Sequence, residues 1–262
     1  KFLKRFSKSV FVLPSGEKSK KIANVEKICR FGVKAGLDRS SSIVAFGGGV
    51  VGDIAGFSAS IYMRGISCVQ VPTTVLAMVD SSIGGKTGVD LPEGKNLIGS
   101  FWQPSRVLID PSFIKTLPEK EIKCGLAEII KYGMVLDKNL FEFLEKNIKK
   151  LLTPDIDFYE KIIGICCRLK AEIVCHDEKE SGIRAILNYG HTFGHAIEKL
   201  TGYKKLSHGE AIAIGMRMSA NFAKHSGLLS SEEELRQNLL IDKAGLPSKT
   251  NLSPEKIYSA MF

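Results

Sequence analysis

Along the first half of the chain, short apolar runs alternate with longer stretches in which apolar positions recur every three or four residues. The runs SVFVL (9–13), SSIVAF (41–46), SCVQV (67–71) and RVLID (106–110) are rich in β-branched residues and bounded by Gly, Pro or Ser, as strands are. Helical periodicity fills 17–35 and 52–62 between them. Such alternation predicts a mostly parallel sheet flanked by helices. Four strands are few for a nucleotide-binding sheet, so one or two N-terminal strands are expected to lie outside this chain. After TLPEKE (116–121) the strand signals stop, and helical patterns cover about 119–135, 138–151, 156–176, 187–201, 208–226, 231–243 and 253–262. The expectation is an α/β domain over 1–117 followed by an all-α domain over 118–262.

Composition narrows the class. The chain has 262 residues, 44% of them hydrophobic and 25% charged, enough for a sizeable buried core. No apolar run approaches the roughly 18–20 residues of a membrane-spanning helix, and no signal peptide is recognisable, so no membrane partner is expected. The net charge is +9, but the lysines are scattered and often sit beside acids, as in Glu119-Lys120-Glu121. Without a basic stripe and interleaved aromatics, a small anionic substrate is a better use of that charge than nucleic acid. The six cysteines show no C-x-x-C pair, which reads as reduced thiols in a cytoplasmic protein.

Several motifs carry chemistry. In SSIVAFGGGVVGDIAG, a strand, a triple glycine and a helix start follow one another, and Gly47, Gly49 and Gly52 fit G-x-G-x-x-G. Glycines there let a backbone approach a pyrophosphate at a helix N-terminus, although a tight turn with positive φ would use them too. The acidic residue expected about 20 positions later is absent, and Gln70 ends the next strand instead. The stretch VPTTVLAMVDSSIGGKTGVDLPEGKN (71–96) reads as a long polar loop holding Asp80, Lys86, Lys95 and Asn96, with the lysines suited to a phosphate. In GLAEIIKYG (125–133), Glu128 and Lys131 share one helix face. Lys170, Arg184 and Asn188 lie just ahead of a histidine-bearing helix and suit an anionic ligand.

Three of the five histidines crowd together: His191 and His195, one helical turn apart, and then His208. Catalytic zinc is built from three protein ligands and an open position. Spacing alone leaves His191, His195, His208 and one of Glu128 or Glu210 as candidates.

These segments together resemble the 3-dehydroquinate synthases of the shikimate pathway, which leads to chorismate and the aromatic amino acids. The resemblance rests on GGGVVGD, YMRG, the 71–104 stretch, GLAEIIKYG, DEKESGIRAILNYGHTFGHAIE and SHGEAIAIGM, in that order. It implies an NAD-binding α/β domain, an α-helical metal- and substrate-binding domain, and a homodimer. The implied reaction converts 3-deoxy-D-arabino-heptulosonate 7-phosphate to 3-dehydroquinate and phosphate, with NAD and Zn2+ or Co2+. The implied metal ligands are Glu128, His191 and His208, with His195 facing the substrate. NAD contacts would include Glu17, Lys20, Gly48, Gly49, Asp53, Thr73 and Thr74, together with Asp80, Lys86 and Lys95. Substrate contacts would be Asp80, Lys86, Lys95, Asn96, Lys131, Lys170, Arg184, Asn188 and His195, and Arg64 would reach the neighbouring subunit's site. A substrate-binding lysine that the family carries near its C-terminus has no match here. The rivals are another sugar-phosphate cyclase, such as 2-deoxy-scyllo-inosose synthase, and a metal-dependent polyol dehydrogenase.

Overall fold

The computed structural model describes residues 9–203 and 205–262. The described residues form two compact units, one of residues 9–73 with 81–110 and the other of 74–80 with the described residues from 111 to 262.

The first unit is built on a parallel sheet of three strands in the order β1-β2-β5, where β1 is Ser42–Gly47, β2 is Ser67–Pro72 and β5 is Arg106–Val107. Helices α1 (Ile22–Lys34) and α2 (Gly49–Ile61) pack in this unit. Ile54 and Phe57 of α2 meet Val25 of α1 and Val89 in one core cluster. Tyr62, Ile66 and Cys68 form a second cluster with Trp102, whose indole N–H donates to the Ile66 carbonyl at 3.1 Å.

Two expectations are corrected in this unit. Residues 9–13 form no strand; Val10, Phe11 and Val12 are exposed, and Phe11 packs edge-on against Phe31. The run is apolar, but it has no ladder partner among the described residues, and apolarity without a partner does not make a strand. In the other direction, the stretch read as a long loop contains an antiparallel hairpin, β3 (Lys86–Leu91) with β4 (Gly94–Phe101). Its glycines hid it, because glycine is poor in strands unless another backbone comes close. That is the case here: a Cβ on Gly88 would lie 2.7 Å from the Ile98 carbonyl oxygen, and one on Gly99 would lie 2.1 Å from that of Thr87.

The second unit is helical, with α3 (Glu119–Val135), α4 (Lys138–Lys146), α5 (Ile148–Leu151), α6 (Ile156–His176), α7 (His191–Leu200), α8 (His208–His225), α9 (Ser231–Lys243) and α10 (Pro254–Ala260). Helix α3 is buried continuously from Cys124 to Gly133, as expected of a helix surrounded by others. Glycines set the spacing of its neighbours. A Cβ on Gly209 would meet the Cys124 backbone at 2.5 Å, which brings the start of α8 onto α3. A Cβ on Gly215 would lie 2.0 Å from the Gly190 carbonyl oxygen, which brings α8 onto the start of α7. No helix among the described residues is long and apolar enough to cross a membrane.

The close contact at Gly215 yields a prediction. Because the obstructing atoms are backbone, Gly215→Ala should lower stability by about 1–3 kcal/mol or more. An unchanged urea midpoint would show that α7 and α8 can separate without loss.

Candidate active site

Three helices of the second unit each deliver one side chain to a single point. Glu128 lies mid-way along α3, fully buried. His191 is the first residue of α7 and follows Gly190, whose φ of 79° is open to glycine at little cost. His208 is the first residue of α8, fixed by a capping box in which Ser207 caps the helix and the Glu210 carboxylate accepts from the Ser207 N–H at 2.6 Å. Glu210 therefore serves the helix start, which removes it from the candidate ligands that spacing allowed.

The Nε2 atoms of His191 and His208 each lie 3.5 Å from Glu128 Oε1. One ligand atom from each residue falls within 4.8 Å of the other two, so the set could hold a metal ion. The opposite ring nitrogens are also engaged: His191 Nδ1 lies 3.2 Å from the Tyr189 carbonyl oxygen, and His208 Nδ1 lies 3.5 Å from Glu198 Oε2. Lys131 Nζ is 2.5 Å from Glu128 Oε2, yet neither carboxylate oxygen accepts a hydrogen bond of regular geometry. A buried carboxylate left so, facing two imidazole nitrogens, is the donor set a divalent cation takes.

Electrostatics separates the two histidines. Burial alone would raise the Glu128 carboxyl, but Lys131, His191 and His208 outweigh it and hold the group well below the usual carboxylate range. Burial pushes His191 down to about 4, against the pull of Glu128 and with help from Lys131. Desolvation pulls the half-buried His208 down as well, but it faces both Glu128 and Glu198, and these raise it to about 9. One carboxylate does not offset burial; two do.

Beside this centre lies a second ionic group. Asp80 sits in a π-helical turn, Ala77–Ser81. Its Oδ1 accepts from Lys170 Nζ at 2.6 Å and from the Tyr132 hydroxyl at 2.7 Å. Burial opposes its ionisation, but Lys170 and Lys131 bring the carboxyl to about 2. Arg184 is almost completely buried, and its guanidinium donates to the Glu178 carbonyl. Asn188 is exposed and donates to Glu180 at 2.6 Å. His195 is 61% exposed in its side chain, with its ring centroid 5.3 Å from that of His191.

In the first unit, Lys20 is buried and pairs with Asp53 at 2.7 Å while also donating to Asn96. Lys95 lies 3.7 Å from Glu17. Gly48 caps α2 without any side-chain hydrogen bond, which leaves that helix start suited to an anion such as a pyrophosphate. None of Gly47, Gly49 and Gly52 has positive φ. They are required by close approach: added Cβ atoms would meet Val51, the Ser81 hydroxyl and the Gln70 amide at 2.7, 2.9 and 2.8 Å. Gln70 donates to the Gly52 carbonyl, so it packs against the glycine turn. The Thr73 N–H donates to the Gly47 carbonyl, and the Thr74 hydroxyl, in the second unit, accepts from Ala77 N–H. Lys86 and Arg64 are exposed, and Arg64 lies in a turn where both it and Met63 have positive φ.

Two residues here escaped the sequence reading. Tyr132 lies in GLAEIIKYG but looks like an ordinary core aromatic. Glu198 lies three residues after His195, a spacing that by itself says nothing of the carboxylate's burial.

As a metal ligand, His208 with its raised value would make metal uptake pH-dependent. His191, near 4, is already neutral at pH 7, so binding displaces one proton, that of His208. Affinity for Zn2+ should rise about tenfold per pH unit from about pH 7 and level off above about pH 9. Competition with a chromophoric chelator measures this; a flat profile over that window would contradict the two-carboxylate account of His208.

Residues 10–124 match the model for the 3-dehydroquinate synthase N-terminal region, and residues 125–262 match that for its C-terminal region. The 3-dehydroquinate synthase of Picosynechococcus sp. is 51% identical over 98% of this chain and 71% of its own length. That of Pelobacter propionicus is 53% identical over 91% of this chain and 67% of its own. Among solved structures, 2-epi-5-epi-valiolone synthase of Streptomyces hygroscopicus, with NAD+ and Zn2+ bound, superposes with a TM-score of 0.89 at 32% identity, over 95% of this chain and 70% of that one. A 2-deoxy-scyllo-inosose synthase with carbaglucose-6-phosphate, NAD+ and Co2+ gives 0.86 at 32% identity, over 94% and 68%. Matched along its length by both family models, and by curated relatives at about half identity, the chain belongs to the 3-dehydroquinate synthase family of enzymes.

Proposed function

We propose that the chain converts 3-deoxy-D-arabino-heptulosonate 7-phosphate to 3-dehydroquinate and phosphate, using NAD and a divalent metal, with Glu128, His191 and His208 as the metal ligands. The observation that carries this reading is the fully buried Glu128 carboxylate, without a regular hydrogen bond and faced by two imidazole nitrogens. When bound, NAD would take a hydride from a substrate alcohol and later return it, while Zn2+ or Co2+ would act as a Lewis acid on substrate hydroxyls.

The chain's own residues do the rest. Lys131 stands against Glu128 and holds it ionised, ready to coordinate. Lys170 and Tyr132 hold Asp80 as a carboxylate, a fixed acceptor for a substrate hydroxyl. Lys170 and Arg184 supply positive charge for the substrate carboxylate, and Lys131 and Asn188 supply further donors. His195, the most exposed of the three clustered histidines, is the group for proton transfer to substrate. In the first unit, the uncapped start of α2 with Gly48 and Gly49 takes the NAD pyrophosphate. Glu17, Lys20, Asp53 and Thr73 line the nucleotide's site, with Thr74, Asp80, Lys86 and Lys95 as further contacts. Lys86, Lys95 and Asn96 also serve the substrate and its phosphate.

Arg64, held out on its left-handed turn, is suited to reach across to a second subunit, so we read the working form as a homodimer in the cytoplasm. The first unit is the NAD-binding domain and the helical unit the metal- and substrate-binding domain.

Phosphate release from the heptulosonate phosphate without net NADH is the expected activity; steady accumulation of NADH would point to a polyol dehydrogenase instead. Glu128→Ala and His208→Ala should each lose bound metal and turnover together. His195→Ala should keep its metal and lose rate by about 100-fold or more, the scale of a general acid–base group. Full metal occupancy in Glu128→Ala, measured by atomic emission, would overturn the ligand assignment.

A further inference from the structure

The carboxylate of Glu198 is the strongest feature of the helical unit to which the proposed roles assign nothing. It is 2% exposed, on α7, three residues beyond His195. Its Oε2 lies 3.5 Å from His208 Nδ1 and 4.0 Å from His195 Nε2. His208 therefore faces two carboxylates through opposite ring nitrogens, Glu128 at Nε2 and Glu198 at Nδ1.

A neutral imidazole carries one ring proton, and the nitrogen without it has the lone pair. A carboxylate beside Nδ1 draws the proton there and leaves the Nε2 lone pair toward Glu128 and His191. His191 is set the same way by the Tyr189 carbonyl oxygen at 3.2 Å. At His208 Nδ1 the facing acceptor is the Glu198 carboxylate in place of a backbone carbonyl. The His208 side chain is 27% exposed, so packing alone leaves its ring room to turn. An apolar side chain at 198 would fill the same buried volume without the desolvation cost of a carboxylate.

We infer that Glu198 is a positioning residue: it fixes His208 with Nε2 toward Glu128 and His191. This rests on the reading of Glu128, His191 and His208 as metal ligands. The set His195, Glu198 and His208 also has ligand atoms close enough to hold an ion itself, and that arrangement is the rival.

The test uses the full chain and Zn2+ or Co2+ alone. Glu198→Gln and Glu198→Met both remove the charged oxygen; each should bind Zn2+ about 10–100-fold more weakly by chelator competition while keeping a folded circular dichroism spectrum. The visible bands of the Co2+ form should change, and Glu198→Asp should recover part of the lost affinity. Wild-type affinity with an unchanged Co2+ spectrum in either of the first two variants overturns the inference. Binding of two ions per chain, with the second lost in Glu198→Gln, also overturns it, since Glu198 would then be a ligand. Glu128→Gln separates the two levels: if it too binds Zn2+ normally, the ligand reading fails; if it alone loses the ion, only the role of Glu198 fails.

Discussion

The helical unit is organised around one buried charge. An isolated carboxylate in a protein interior is costly by many kcal/mol unless opposite charge and hydrogen-bond donors surround it. Glu128 is fully buried, and Lys131, His191 and His208 converge on it. Only Lys131 comes from the same helix; the histidines must be brought by two others. The arrangement of α3, α7 and α8 is therefore tied to the chemistry at their meeting point.

Close helix approach makes this convergence possible, and glycine makes the approach possible. Gly209 lets α8 touch the α3 backbone, and Gly190, Gly194 and Gly215 let α7 and α8 nest. The same glycines stand next to the candidate site residues in sequence: Gly190 before His191, Gly194 before His195 and Gly209 after His208. In the other unit, Gly47, Gly49 and Gly52 act likewise around the start of α2. Gly47, Gly49 and Gly52 have no positive φ; what matters there is the missing Cβ.

Much of this was legible in the residues. Short β-branched runs bounded by Gly, Pro or Ser located β1 and β2, and helical periodicity located α2 and nearly every helix of the second unit. The hairpin β3–β4 was not legible, since its stability comes from backbone approach at Gly88 and Gly99, which composition scores as loop. The run at 9–13 misled for the opposite reason, being strand-like in composition without a strand to pair with. Among the candidate site residues, the crowding of His191, His195 and His208 pointed to a metal, but spacing left Glu128 and Glu210 equivalent. The capping box at Ser207 distinguishes them, and it is visible in S-H-G-E once the helix start is known. Glu198 and Tyr132 stayed hidden because burial, which makes a polar group consequential, is a property of packing.

The ion pairs of Lys131 with Glu128 and of Lys170 with Asp80 are two carboxylates against two ammonium groups. That quartet sums to zero formal charge before any ion or substrate arrives. His208, protonated between Glu128 and Glu198, gives up its proton when a divalent cation is seated at Glu128, so loading would raise the net charge of the cluster by one. The cluster would attract anions more strongly when loaded than when empty. The metal would then gate the binding of acidic ligands as well as take part in their conversion.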